Sequence, residues 1–198
     1  MNLPNKLTIL RILLAFVFML CIFSKGLIYK ALALAVFTAA ALTDLLDGMI
    51  AKSRNQITDF GKIMDPIADK ILVLAAFLSF IQLQLIPAWT VIVIIGREVA
   101  ITSLRVFALS RGKVLAASKA GKHKTVSQMA VIFIILISLI LGETMQKYPF
   151  WNSAFDSSIK NTIYLAMLVT VVLTLISGLS YMWDNRKLFT AGRGYAEK

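Results

Sequence analysis

Six stretches of this chain, residues 8–24, 28–50, 66–86, 88–109, 125–142 and 161–183, are each long and apolar enough to cross a lipid bilayer. A spanning helix needs roughly 20 mostly apolar residues. Inside hydrocarbon the backbone must satisfy its own hydrogen bonds, so such stretches fold as helices. Together with the connections between them they use nearly all of the 198 residues. The hydrophobic share is 59% and the charged share only 16%, where a soluble domain carries roughly 45 to 50% apolar residues. The expected fold is therefore an all-α integral membrane protein, a six-transmembrane-helix bundle forming one domain over residues 1–198.

The formal charge of +11 would suit a nucleic-acid binder if it were spread over a soluble surface. Here the basic residues fall mostly on one side of the six spans: Lys6 and Arg11, the interval from Lys52 to Lys70, the run from Arg97 to Lys124, and the tail from Arg186. Only Lys25, Lys30, Lys147 and Lys160 fall on the other. The positive-inside rule then puts both termini in the cytoplasm. Such a surface attracts anionic lipid headgroups, and nucleic acid is not expected as a partner. The first apolar run ends at Cys21 to Gly26 without a small-residue cleavage site, so it reads as an uncleaved helix. Cys21 is the single cysteine, which excludes an intramolecular disulfide.

Against this apolar background stand four aspartates. Asp44 and Asp47 end the second span, and Asp65 and Asp69 begin the third. Residues three or four apart share a helix face, so each pair projects two carboxylates in one direction. Four carboxylates in a poorly hydrated place cannot all stay ionised without cations, since burial and mutual repulsion both favour the neutral acid. A divalent-metal site follows, and all-oxygen ligands favour hard ions such as Mg2+ or Mn2+. Gly48 and Ala51 lie one and four residues after Asp47 and leave a flat patch where a nucleobase or ribose fits; ordinary helix packing would use them equally well. Six alanines between Ala31 and Ala41 permit close helix approach.

Local signals complete the reading. Asn5 or Thr8 can cap the first helix, and Asp65 followed by Pro66 reads as the start of the third. The polar interval Lys52 to Lys62 is short enough for a tight connection. Arg11, one turn inside the first span, either snorkels to the interface or binds phosphate. Arg97 lies within the fourth span, where a charge is expensive and tends to be functional or paired. Its neighbour Glu98 points differently on a helix, so the two are not expected to pair directly. His123, flanked by lysines, reads as a solvated loop residue.

The stretch from Asp44 to Asp69 reads Asp-x2-Asp-Gly-x2-Ala-Lys-x8-Gly-x3-Asp-x3-Asp. It resembles the signature of the CDP-alcohol phosphatidyltransferases, differing only at Lys52, where the family has arginine. Lys52 keeps the charge but lacks the planar bidentate fork, which Arg54 can supply. The resemblance implies transfer of a phosphatidyl group from CDP-diacylglycerol to an alcohol, with release of CMP. It implies two divalent ions, the first on Asp44, Asp47 and Asp65 and the second on Asp44, Asp65 and Asp69, with Asp69 as the catalytic base for the acceptor hydroxyl. CDP would be held by Asn5, Thr8, Arg11, Gly48, Ala51, Lys52, Thr58 and Gly61.

Three further matches, Pro4-Asn5-x-Leu7-Thr8-x2-Arg11, Gly96-Arg97-Glu98 and Gly121-Lys122-x-Lys124-Thr125-x2-Gln128, resemble the bacterial family members that use sn-glycerol 3-phosphate. They imply a homodimer in the bacterial cytoplasmic membrane with its active site facing the cytoplasm. A phosphorylated acceptor needs cations, and Arg97, Arg105, Arg111, Lys122 and Lys124 are the candidates. Another acceptor, as in a cardiolipin synthase or an inositol-phosphate enzyme, is the nearest rival. An intramembrane divalent-cation transporter is a more distant one, since transporters place such acids near the midplane.

Overall fold

A computed structural model describes residues 3–53, 59–110, 119–145 and 153–186, with side chains described at 8–43, 68, 70–110, 123–145 and 154–186. These residues form six helices: α1 (Leu3–Phe23), α2 (Leu27–Ser53), α3 (Asp59–Gln82), α4 (Ala88–Ser110), α5 (Lys119–Met145) and α6 (Ser153–Asp184), with no strand among the described residues. Each predicted apolar stretch falls on one of them. Among the residues with described side chains, two segments are long and apolar enough to cross a membrane, His123–Met145 and Ala154–Asp184, and Thr8–Phe23, Leu27–Thr43 and Lys70–Gln82 are apolar segments of 10–17 residues. The fourth helix, α4, carries Arg97, Glu98 and Arg105 within its apolar run.

Two local expectations are corrected. Asn5 and Thr8 do not cap α1, because the helix is already running at Leu3. Likewise Asp65 is not a cap and Pro66 is not in a first turn, because α3 begins at Asp59. The polar interval is largely helical: Lys52 and Ser53 continue α2 and Asp59 opens α3, leaving 54–58 outside the described residues. Polarity in the sequence therefore did not mark the helix ends.

The chain divides into two compact units, Met1–Leu85 with Ile132–Asn161, and Ile86–Val131 with Thr162–Lys198. In the first unit α1 packs along both α2 and α3. The buried stripe of α2 runs Lys30, Ala33, Phe37, Ala40, Thr43, steps of three and four that define one helix face. The alanines on that face let α1 approach, as their number in the sequence suggests. Phe37 meets Phe18 of α1 at 5.6 Å between ring centroids and Phe133 of α5 edge-on at 5.5 Å, separations at which aromatic quadrupoles attract.

The ends of these helices are closed by backbone chemistry. After α1 the chain reverses through Gly26, whose φ of 104° only glycine adopts cheaply. Lys30, buried at 8% exposure, donates to the Ile22 carbonyl and to that of Ser24 at 3.0 Å. A cation there satisfies open carbonyls and complements the negative end of the helix dipole. After α3, Leu85 N–H bonds to Phe80 O at 2.9 Å and Gln84 N–H to Ile81 O at 2.9 Å, with Gln84 at φ 57°. This is the Schellman arrangement with glutamine in the left-handed position usually given to glycine, and Pro87 follows it.

In the second unit, α6 presents a buried face of Ile163, Met167, Thr170, Val171, Thr174, Ser177 and Tyr181. Thr170 Oγ1 reaches Ser127 O of α5 at 3.4 Å while also bonding its own Ala166 O at 2.9 Å. Ile101 and Leu104 of α4 close a small core with Tyr181. Large apolar side chains such as Leu13, Phe16, Leu20, Ile28, Ile92, Val106, Leu179 and Trp183 remain exposed. In water so many would be an aggregation hazard; lipid accommodates them.

Candidate functional site

The aspartate signature stands on helical backbone at both ends. Asp44, Asp47, Gly48, Ala51 and Lys52 lie in the last turns of α2, and Gly61, Asp65 and Asp69 in the first turns of α3. The three-residue and four-residue steps are therefore true helical steps, in one compact unit. The side chains of these residues, and that of Asn5 in α1, lie outside the described set, as does all of Thr58. The donor set itself, four carboxylates and no nitrogen or sulfur, suits a hard divalent cation. Among residues with described side chains, no other group of three or more His, Cys, Asp or Glu could hold a metal.

Two further residues expected at the nucleotide are described, Thr8 and Arg11 of α1. Both are completely buried, each at 0% exposure. Arg11 therefore does not snorkel. A guanidinium kept inside a membrane protein is expensive and is either paired or functional, and α1 is the helix that packs along the two carrying the aspartates.

A second polar cluster lies in the second unit, on α4, α5 and α6. Arg97 Nη2 donates to Ser177 Oγ at 2.8 Å. Glu98 Oε1 stands 3.6 Å from Arg97 Nη1 and is also paired with Lys124 Nζ. This corrects the expectation that adjacent Arg97 and Glu98 would not meet: the arginine stem is long enough to bring its head back to the neighbouring carboxylate. Lys124 is buried, and Gln128, one turn further along α5, is buried with its Nε2 lacking a hydrogen-bond partner. Arg97 Nε is also without one.

Arg105 is exposed on the same helix, two turns beyond Arg97. Its Nε donates to Tyr181 Oη at 3.1 Å, and its guanidinium carbon lies 5.3 Å from the centroid of that ring, a cation–π distance. Arg105 is close enough to repel Arg97. Among the described residues the cluster thus sets three cations, Arg97, Arg105 and Lys124, against one carboxylate, Glu98. An excess of positive charge with unpartnered donors is what a phosphate monoester requires. Arg111 lies outside the described residues, and Lys122 has its backbone in α5 but its side chain outside them. His123 is exposed as expected, though on α5 and not in a loop.

Sequence reasoning missed Ser177, Thr174 and Tyr181. Their signal was present: polar or hydroxyl-bearing residues at 170, 174, 177 and 181 recur at steps of four, three and four in an otherwise apolar span, which is one helix face.

Residues 1–183 match the CDP-alcohol phosphatidyltransferase family. A CDP-diacylglycerol–glycerol-3-phosphate 3-phosphatidyltransferase of Bacillus subtilis is 37% identical over 196 residues, covering 93% of this chain and 95% of that protein. A protein of Mycobacterium tuberculosis, named a probable phosphatidylglycerophosphate synthase, is 33% identical over 184 residues, covering 91% of this chain and 80% of its own length. The Rickettsia felis protein bearing the same name as the Bacillus one is 30% identical over 193 residues, covering 95% and 97%. With the family matched across both helical units and the signature carried on α2 and α3, the chain belongs to the CDP-alcohol phosphatidyltransferase family.

Proposed function

We propose that this chain is a membrane-bound enzyme that transfers the phosphatidyl group of CDP-diacylglycerol to sn-glycerol 3-phosphate, giving phosphatidylglycerophosphate and CMP. The names of its relatives supply donor and acceptor. The observation that carries the acceptor is the excess of charge in the described cluster, where Arg97 and Lys124 share the Glu98 carboxylate and Arg105 is held by Tyr181, an excess suited to a phosphate-bearing alcohol. An uncharged alcohol has no use for it.

The donor is held by α1, α2 and α3. Arg11, Thr8, Asn5 and Lys52 take the diphosphate and cytidine, with Gly48, Ala51, Thr58 and Gly61 leaving room for the nucleotide. Asp44, Asp47 and Asp65 would hold one divalent ion, and Asp44, Asp65 and Asp69 a second, magnesium or manganese. When bound, these ions neutralise the diphosphate and polarise the attacked phosphorus. Asp69 accepts the proton of the acceptor hydroxyl; that oxygen bonds to the phosphatidyl phosphorus as the bond to CMP breaks, and CMP departs with the electron pair. The four carboxylates act as one coupled titrating set.

All six helices span the bacterial cytoplasmic membrane as one domain, with both termini in the cytoplasm and two copies paired. The distribution of basic residues supports this orientation. It places the aspartates where a lipid-anchored nucleotide and a soluble acceptor meet. The test is CMP release by purified protein from CDP-diacylglycerol with magnesium and, in turn, glycerol 3-phosphate, glycerol, phosphatidylglycerol and inositol phosphate. Turnover with glycerol 3-phosphate well above the others is expected. Equal or faster turnover with another alcohol refutes the acceptor assignment.

A further inference from the structure

We propose that α6 aims the two α4 arginines at the acceptor phosphate, Ser177 and Gly178 setting the position of Arg97 and Tyr181 that of Arg105. The inference rests on the acceptor-site reading above and adds the residues that determine its selectivity.

Gly178 leaves a notch for Arg97. A Cβ on that glycine would lie 3.0 Å from Arg97 Cγ, 3.7 Å from Nε and 3.9 Å from Cδ. The first of these distances is tighter than ordinary carbon packing, so a side chain at 178 would require the arginine stem to shift by a few tenths of an ångström. Beyond the notch, Ser177 Oγ accepts from Nη2 at 2.8 Å, which fixes the plane of the guanidinium while Nε stays without a partner. One turn along α6, Tyr181 holds Arg105 both by its hydroxyl and by its ring. Tyr181 is in turn clamped by Ile101 and Leu104, at 2% exposure.

The chemistry of these partners is informative. A structural arginine in an apolar bundle is normally given a carboxylate, which cancels its charge. Here the partners on α6 are a hydroxyl, a phenol and an absent side chain. They orient the guanidinium groups without neutralising them, and among the described residues the one carboxylate at hand, Glu98, is shared between Arg97 and Lys124, so the cluster keeps a net positive charge although the two arginines repel each other. That excess of positive charge, held in a fixed orientation, favours binding of a doubly charged phosphate monoester over a neutral alcohol. Ser177, Gly178 and Tyr181 are positioning residues: they act on the acceptor through Arg97 and Arg105.

The test is steady-state kinetics of Gly178→Ala, Ser177→Ala and Tyr181→Phe, varying each substrate separately, with Ser177→Thr as the conservative rescue and Arg97→Ala as the reference. Expected is a rise of about tenfold in KM for glycerol 3-phosphate in each of the three, with KM for CDP-diacylglycerol unchanged, and recovery toward wild type in Ser177→Thr. The ratio of turnover with glycerol 3-phosphate to turnover with glycerol should fall in parallel. If Arg97→Ala raises the acceptor KM and the α6 variants do not, the positioning role is refuted and the acceptor site stands. If Arg97→Ala leaves that KM unchanged, the acceptor site itself fails. Both KM values moving together in the α6 variants would show a merely structural role and overturn the inference. Should Gly178→Ala not fold, Ser177→Ala and Tyr181→Phe, which only remove atoms, carry the same test.

Discussion

Lys124 on α5 and Glu98 on α4 are an ion pair between side chains 8% and 23% exposed, and the same carboxylate oxygen lies 3.6 Å from Arg97. Removing one member strands a buried charge, which costs on the order of 3 kcal/mol. Glu98→Gln is therefore expected to lower the thermal midpoint of the detergent-solubilised protein by several degrees. Combining it with Lys124→Met should recover much of the loss. A single variant as stable as the parent would show that the pair contributes nothing.

Lys30 is a helix cap made by a side chain eight residues away from one of its acceptors. Its ammonium also lies within electrostatic reach of Glu143 on α5. Hydrogen bonds to a charged donor are worth roughly 1.5 to 3 kcal/mol, so Lys30→Met should destabilise the first unit measurably. Because the cap closes the end of α1 away from the aspartate signature, both KM values are expected to stay unchanged in membranes. A selective change in either would contradict a purely structural role.

Gln84 occupies the left-handed position that ends α3. A non-glycine residue there is strained by about 1 kcal/mol, so Gln84→Gly should raise the thermal midpoint slightly or leave it unchanged, despite the entropy glycine adds to the unfolded chain. A clear fall would mean that the glutamine side chain makes a contact that outweighs the strain.

The sequence was most legible where one periodicity dominates. Apolar runs located all six helices, and the fixed offsets from Asp44 to Asp69 located the signature on α2 and α3. Helix ends were read less well. Asp65-Pro66 looked like a start and is nearly two turns inside α3, because a cap-like residue and a proline are signals permitted at a helix start, not confined to it. Long-range pairing was the least legible. Nothing adjacent to Glu98 announces Lys124, which is 26 residues away, and nothing near Arg97 announces Ser177, 80 residues away. Such partners are chosen by packing, and only the hydroxyl stripe on α6 hinted at them.

The most direct measurement uses the purified chain in mixed micelles with CDP-diacylglycerol, glycerol 3-phosphate and magnesium, following CMP and identifying the lipid product by mass spectrometry. Expected are phosphatidylglycerophosphate and CMP in equal amounts, loss of both on chelation with recovery on added magnesium, and a rate for Asp69→Asn lower by about 10²-fold or more. Undiminished product from Asp69→Asn, or CMP released without transfer to glycerol 3-phosphate, would contradict a carboxylate-assisted phosphatidyl transfer.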